Sequence, residues 1–239
     1  ARTVAEALGI RFYVANYAED FRKEVIEGFA DSYGVGRTPI PCVVCNKKFK
    51  FDYLMERARI LGAQAVATGH YAQVAWEEDV GRWVLRRPVD RKKDQTYFLF
   101  ELDQQQLSQT RFPLGGLDKP AVREHARRLG LVTAEKSESQ EICFVPDGDY
   151  AQVVERIRPE LRDRGGEIVD QEGRVLGQHA GIHRFTIGQR HGLGIHVGRP
   201  VYVTHLDPIL RRVTVGDAQD LELGSIEVER VNWISGAAP

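Results

Sequence analysis

Cysteine is scarce in this chain: three in 239 residues, at positions 42, 45 and 143. Two of them stand three positions apart in "TPIPCVVCNKKFKF", residues 38–51, after a proline pair and before a basic, helix-like run. The third lies in "SESQEICFV", residues 137–145. A structural zinc needs four ligands, usually two such pairs or added histidines. No second pair exists here, so zinc is disfavoured. A redox pair is the other chemistry open to Cys-x-x-Cys. The reactive species is the thiolate, favoured at a helix start and beside cations. The pattern places Cys45 directly before a helix, with Lys47 and Lys48 close by in sequence. Cys42, between Pro41 and Val43, also fits a small buried hydrophobe. Cys143 follows a polar, loop-like lead-in and says little alone. Beside an activated Cys45 it suggests a partner thiol, one cysteine carrying sulfur and the other resolving it through thiol–disulfide exchange.

The elements that must position these thiols can be read from periodicity. "TVAEALG" has the look of a closing helix, and "IRFYVAN" alternates as a strand does. Phe21, Val25, Ile26 and Phe29 fall at helical spacing, which predicts a helix over 19–33. "GVGRTPIP" forces a loop. Helical periodicity resumes at Asn46, with Leu54, Ala58 and Leu61 on one face, and ends near Gly62. "AQAVATGHY" predicts a short buried strand running into a turn. Alternating helix and strand predicts a parallel sheet with flanking helices, whose ligands bind beyond the carboxyl ends of the strands. We expect residues 10–16 and 64–68 to be neighbouring parallel strands, with Gly69 and His70 at that edge.

Beyond residue 71 the texture changes. "YAQVAW" and "RWVLRRP" predict a hairpin, and "DKPAVREHARRLG" a helix with Pro120 in its first turn and Gly130 as its stop. After about residue 145 the chain is strand-rich. "GEIVDQEGRVLG" predicts a hairpin, and "VYVTHLD", "RRVTVG" and "SIEVERVNWI" predict strands. The domain organisation expected is 1–145 for an α/β catalytic part, 146–218 for a smaller β-rich part, and 219–239 for the start of a further β domain. The segment around Cys143, with Pro146 and Gly148 after it, is expected to be a mobile loop that samples at least two positions.

Composition narrows the class. Hydrophobic residues make up 42% and charged residues 28%, an ordinary globular balance. No apolar run approaches the roughly 20 residues needed to span a membrane, and no signal-peptide layout opens the chain. Low, odd cysteine usage favours a reducing cytoplasm over a disulfide framework. The net charge of -1 does not announce a nucleic-acid partner. Basic clusters do occur, at Lys47, Lys48 and Lys50; Arg86 and Arg87; Arg91, Lys92 and Lys93; and Arg123, Arg127 and Arg128. The chain has no initiating Met and opens inside a helix pattern, so further sequence is expected upstream.

Five blocks in order, "GRTPIPCVVCNKKFKF", "VATGHYAQV", "KDQTYFL", "SESQEICFV" and "FTIGQRHGLGI", resemble the signature blocks of the bacterial tRNA-specific 2-thiouridylases. Members of that family replace the 2-oxygen of the wobble uridine of tRNA with sulfur. The resemblance implies a pyrophosphatase-loop, adenine-nucleotide alpha-hydrolase-like α/β fold followed by a smaller β-rich domain. It also implies ATP with Mg2+, a persulfide sulfur-donor protein, and tRNA acceptors for Lys, Glu and Gln. The family's N-terminal phosphate loop has no counterpart here, so the chain is expected to be a central piece of such an enzyme.

Carried onto this sequence, the resemblance makes Cys45 the nucleophile and Cys143 the persulfide carrier. Gly69 matches a residue whose backbone lies against the nucleotide. Ile40, Pro41 and Cys42 match the segment lining the target base, and His70, Lys93, Asp94 and Gln95 match tRNA contacts. No metal site is expected. An iron–sulfur cluster on Cys42, Cys45 and Cys143 is the disfavoured alternative to a base-lining Cys42. Two other functional classes stay open at this point. One is a tRNA-binding piece without catalysis. The other is a pyrophosphatase-loop ligase with another substrate, which would need no cysteine pair.

Overall fold

The computed structural model describes residues 1–136, 142–145 and 148–238. The chain divides into two units. The first comprises Ala1–Ala18, Cys42–Gln140 and Arg230–Pro239; the second comprises Glu19–Pro41 and Glu141–Glu229.

In the first unit, helix α1 spans Arg2–Ala7. Helix α2, treated with the second unit, runs from Ala18–Phe21 through a wide-turned stretch, Arg22–Glu27, into Gly28–Gly34. Helix α3 is continuous from Pro41–Cys45 through a wide-turned Asn46–Tyr53 to Leu54–Ile60. It thus begins one turn earlier than its sequence pattern suggests. Proline cannot continue a helix, but it suits a first turn, where its missing N–H has no partner to lose. Cys42 is therefore in the first turn and Cys45 about one turn deeper, not ahead of the helix. Gly62, at φ +75°, closes α3, with its N–H on Arg59 O and the Ala63 N–H on Ala58 O.

Strand β1, Val66–Ala67, pairs in parallel with β4, Thr110–Arg111, in the register Val66 to Thr110. This replaces the expected pairing with residues 10–16, which form no strand. Ile10, Tyr13 and Val14 are 59%, 62% and 73% exposed, so their alternation has no buried face to satisfy. Strands β2, Gln73–Glu77, and β3, Arg82–Arg86, form the expected hairpin, with Trp76 opposite Trp83 and Gly81 in the left-handed region at its turn. Helix α4, Gln104–Ser108, opens on a capping box in which the Asp103 carboxylate accepts from the Gln106 N–H. Helix α5, Lys119–Arg128, is capped by Asp118. Phe51 and Met55 of α3 pack with Val66, Ala72, Leu99, Leu102, Leu107 and Phe112 to form the core. Burying each large side chain contributes about 1.5–3 kcal/mol.

Residues 225–234, expected to be a strand, are not one. Ile226 and Val228 lie 76% and 74% exposed. Further on, the Asn232 amide donates to the carbonyls of Phe100 and Leu102, and Ile234 packs against the first unit's core.

The second unit holds α2, helix α6 at Tyr150–Ile157, and a four-stranded sheet of order β6-β5-β8-β7. Its strands are β5 (Gly166–Val169), β6 (Val175–His179), β7 (Tyr202–Asp207) and β8 (Arg212–Gly216). The β5–β6 hairpin and the β7 and β8 strands are those expected from sequence. One core lies on this sheet, around Ile168, Val203, Val213 and Val215. A second joins α2 to α6 through Phe29, Ala30, Tyr33, Val154 and Leu161, with Tyr33 stacked on Tyr150 at 4.5 Å.

Candidate active site

Helix α3 and the strip following β1 build one constellation. Asn46, directly after Cys45, is only 4% exposed, and so is unusual for an amide side chain. Its Nδ2 donates to Phe98 O at 3.0 Å, which leaves Oδ1 facing His70 Nε2 at 3.2 Å. On the other side of the ring, His70 Nδ1 lies 2.7 Å from Thr68 Oγ1. Nε2 thus faces both the Asn46 amide oxygen, an acceptor, and the Lys50 ammonium, a donor, while Nδ1 pairs with the Thr68 hydroxyl, which can serve either tautomer. Lys50 Nζ lies 3.3 Å from Nε2, and Phe51 and Phe112 flank the ring.

Burial, reinforced by the Lys50 ammonium, pushes the His70 imidazole down from 6.5 to about 4. The ring is 7% exposed with both nitrogens engaged inside the chain. The residue expected to touch RNA is therefore a buried tie between the β1 strip and α3. Asn46, Lys50 and Thr68 were not singled out from sequence. The available signal was an amide at the start of a helix face that turns apolar.

This has a pH consequence. Below its ordinary pKa the unfolded chain binds a proton at His70 that the folded chain refuses until about 4. Stability therefore falls as pH drops from about 6.5 toward 4, and this contribution is absent above that window. We expect the melting temperature to drop less between about pH 7 and about pH 5 in His70→Gln than in the parent. Equal drops in the two proteins would rule out the depressed imidazole.

The block around residue 94 turns inward in part. Gln95 Oε1 accepts from the Tyr71 N–H at 2.9 Å, and the Gln95 N–H donates to Tyr71 O at 3.0 Å, clamping the strip that carries Gly69 and His70. The Asp94 carboxylate accepts from Thr96 Oγ1 at 2.7 Å and from Arg87 Nε at 2.5 Å. Partial burial would raise its pKa, but the Thr96 hydrogen bonds and Arg87 outweigh that and lower it. Lys93 ends the turn Arg91–Lys93. Asp90 organises that turn by accepting from the Lys92 N–H, and its second oxygen accepts from the Lys119 N–H at the start of α5. Two basic runs are thus tied to one aspartate. Lys47, expected to support the Cys45 thiolate, instead directs its ammonium to Glu101 O at 3.1 Å.

Cys42 is exposed, Cys45 partly buried and Cys143 exposed, and none is in a disulfide. Cys143 sits in a tight turn closed by the Val145 N–H on Ile142 O at 2.8 Å. Val145 is buried in the α2–α6 core, and Ile142 and Phe144 pack against it. The expected mobile loop falls largely on residues 137–141 and 146–147, outside the described residues. Gly69 is exposed at the carboxyl end of β1, and an added Cβ there would meet only Leu114 Cδ1, at 3.8 Å. Cys42, Cys45, Gly69, His70, Lys93, Asp94 and Gln95 belong to the first unit; Ile40, Pro41 and Cys143 belong to the second. Among the described residues, no three His, Cys, Asp or Glu side chains are grouped to hold a metal ion. Among them, too, no helix is long and apolar enough to cross a membrane.

Comparison with known proteins bears on this constellation. The tRNA methyl transferase HUP domain family matches residues 1–147, and the tRNA methyl transferase PRC-barrel domain family matches residues 154–217. The expected fold class, an α/β domain with a parallel sheet followed by a smaller β-rich domain, holds. The tRNA-specific 2-thiouridylase MnmA of Acidobacterium capsulatum is 51% identical over 239 residues, covering 98% of this chain and 64% of the relative. That of Solibacter usitatus gives the same figures. That of Bradyrhizobium diazoefficiens is 50% identical over 236 residues, covering 99% of this chain and 60% of the relative. The chain thus spans somewhat under two thirds of the length of these relatives. With both domain families matched in order along most of its length, the chain belongs to the family of the tRNA-specific 2-thiouridylases.

Proposed function

We propose that the enzyme to which this chain belongs is a cytoplasmic tRNA-uridine 2-sulfurtransferase, forming 2-thiouridine at the wobble position of tRNAs for Lys, Glu and Gln. The observation that carries this reading is the presentation of Cys143: Ile142 and Phe144 pack against a core in which Val145 is buried, while the cysteine itself is exposed. A cysteine that must be loaded by a donor protein needs that presentation. Cys143 accepts a sulfur atom from a donor persulfide. Cys45 attacks Cys143 Sγ, the persulfide S–S bond breaks, and the hydrosulfide released attacks C2 of the activated uridine and expels AMP. That leaves a Cys45–Cys143 disulfide, which a reductant must open.

ATP with Mg2+, when bound, supplies the adenylate that turns the uridine 2-oxygen into a leaving group. The exposed Gly69 suits that ligand, because the protein's own packing does not exclude a Cβ there, and a backbone without one can lie closer to a nucleotide. Ile40, Pro41 and Cys42 line the target base. Lys93 faces the tRNA backbone, while Asp94 and Gln95 hold the surrounding loop. His70 fixes the strip that carries Gly69.

The test is nucleoside analysis of tRNA incubated with the complete enzyme, ATP and a persulfide donor. Failure to form 2-thiouridine overturns the reading. RNA affinity should depend on the basic runs that Asp90 ties together, and weaken steeply with salt, since each neutralised phosphate releases counterions. Lys92→Ala with Lys93→Ala should lower the slope of log affinity against log salt by about 1 to 2. An unchanged slope would make that turn ordinary surface.

A further inference from the structure

Cys42 has no role in the sulfur transfer above beyond lining the base, yet the structure gives it the geometry of a resolving thiol. Helix α3 starts at Pro41, so Cys42 and Cys45 are three residues apart on one helical face, where Cβ atoms stand about 5–6 Å apart. A disulfide needs about 3.5–4.5 Å. The shortfall is on the order of 1–2 Å, in the first turn of a helix, where few backbone hydrogen bonds must yield. The exposures are graded, with Cys42 exposed and Cys45 partly buried. Both lie in the first unit.

We propose that Cys42 resolves the Cys45–Cys143 disulfide, an inference that rests on the sulfur-transfer reading above. The Cys42 thiolate, its proton given to solvent, attacks Cys45 Sγ. A Cys42–Cys45 bond forms, the Cys45–Cys143 bond breaks, and the electron pair leaves on Cys143 as thiolate, ready for reloading. No net oxidation occurs in this exchange. A dithiol reductant then attacks the more exposed sulfur, Cys42, and expels Cys45 as thiolate. The reductant's second thiol displaces Cys42 and closes the reductant's own disulfide, supplying the two electrons. Exposure thus decides the order of events: the outer sulfur meets the reductant and the inner one returns as the nucleophile.

The peptides make this testable. Trypsin places Cys42 and Cys45 together on residues 38–47, and Cys143 on residues 137–156. The complete enzyme would be quenched with an alkylating agent during turnover and its peptides mapped by mass. The expected result is peptide 38–47 short of two hydrogens and unalkylated, with Cys143 alkylated. In Cys42→Ser, peptide 38–47 should instead be found linked to 137–156. Multiple-turnover thiolation by that variant should fall at least about tenfold at about 0.1 mM dithiol and recover as dithiol rises, because a thiol one turn away acts at an effective concentration of millimolar or more. The loss of multiple turnover at low dithiol should exceed any change in its first turnover, which reads the base-lining role of Cys42 separately. If the parent accumulates the 38–47 to 137–156 link while Cys42 remains alkylatable, or if Cys42→Ser turns over normally at low dithiol, the resolving role is wrong and the sulfur-transfer reading stands. If that link appears in neither protein, both fall.

Discussion

Cys143→Ser and Cys45→Ser, made in the complete enzyme, will fail at different steps. Cys143→Ser is expected to accept no sulfur from a persulfide donor and to form no 2-thiouridine. Cys45→Ser is expected to carry sulfur on Cys143 and still lose turnover. Each loss should reach about three orders of magnitude or more, the scale seen when a covalent nucleophile is removed. Serine keeps the size of the side chain and removes the soft, readily ionised sulfur, so the fold is not at stake. Cys143 is exposed and Cys45 only partly buried, so neither change leaves a core cavity. Labelled sulfur retained on peptide 137–156 separates the two variants directly. Full multiple-turnover activity in Cys45→Ser would remove its assigned role and return Cys42-x-x-Cys45 to a structural pair. Sulfur loading that survives Cys143→Ser would move the persulfide elsewhere.

Some of this was legible in the sequence, and the reasons are local. The helix over 19–33 and the two hairpins, Gln73–Glu77 with Arg82–Arg86 and Gly166–Val169 with Val175–His179, carry period and turn signals within a few residues. The alternation at 10–16 and 225–234 was just as clear and produced no strand, because alternation describes a face that needs a partner, and among the described residues no strand pairs with these. The β1–β4 pair was illegible for the opposite reason: two-residue strands have no period, and Thr110 enters the sheet through "SQTRF" by contact alone. At the site, the thiols were visible from residue type and spacing. The Asn46–His70–Thr68 network was not, since it joins side chains 24 residues apart and leaves no mark on local pattern. The helix start was misplaced by reading Pro41 only as a breaker.

Gly115→Ala should be the most damaging single methyl in the first unit. A Cβ on Gly115 would sit 1.8 Å from Ala72 O and 2.7 Å from both Ala72 C and Gln73 Cγ. Ala72 is fully buried, so neither backbone can move without disturbing the core. The conflict is one of space, because the obstacle is backbone and no rotamer change relieves it. Gly115 also fastens its surroundings: its carbonyl accepts from the Val89 N–H at 2.9 Å and from Gln73 Nε2 at 3.0 Å. Forcing the loop out therefore breaks hydrogen bonds as well as packing. Overpacking of a close-packed site costs about 1–3 kcal/mol, and the added hydrogen-bond losses take the expected destabilisation to about 3 kcal/mol or more. For a unit of this size that is a fall in melting temperature on the order of 10 °C. Two neighbours serve as controls. Gly116→Ala meets nothing within 4 Å, and Gly69→Ala meets only Leu114 Cδ1 at 3.8 Å, so both should melt within about 0.5 kcal/mol of the parent. Gly69→Ala should nevertheless bind ATP more weakly, because in the proposed site the added methyl takes up space where the backbone lies against the nucleotide. Thermal melts of the three variants, with nucleotide titration of Gly69→Ala, decide the matter. If Gly115→Ala melts with Gly116→Ala, the close approach at Ala72 is wrong. If Gly69→Ala binds ATP as the parent does, the strip after β1 is not where the nucleotide lies.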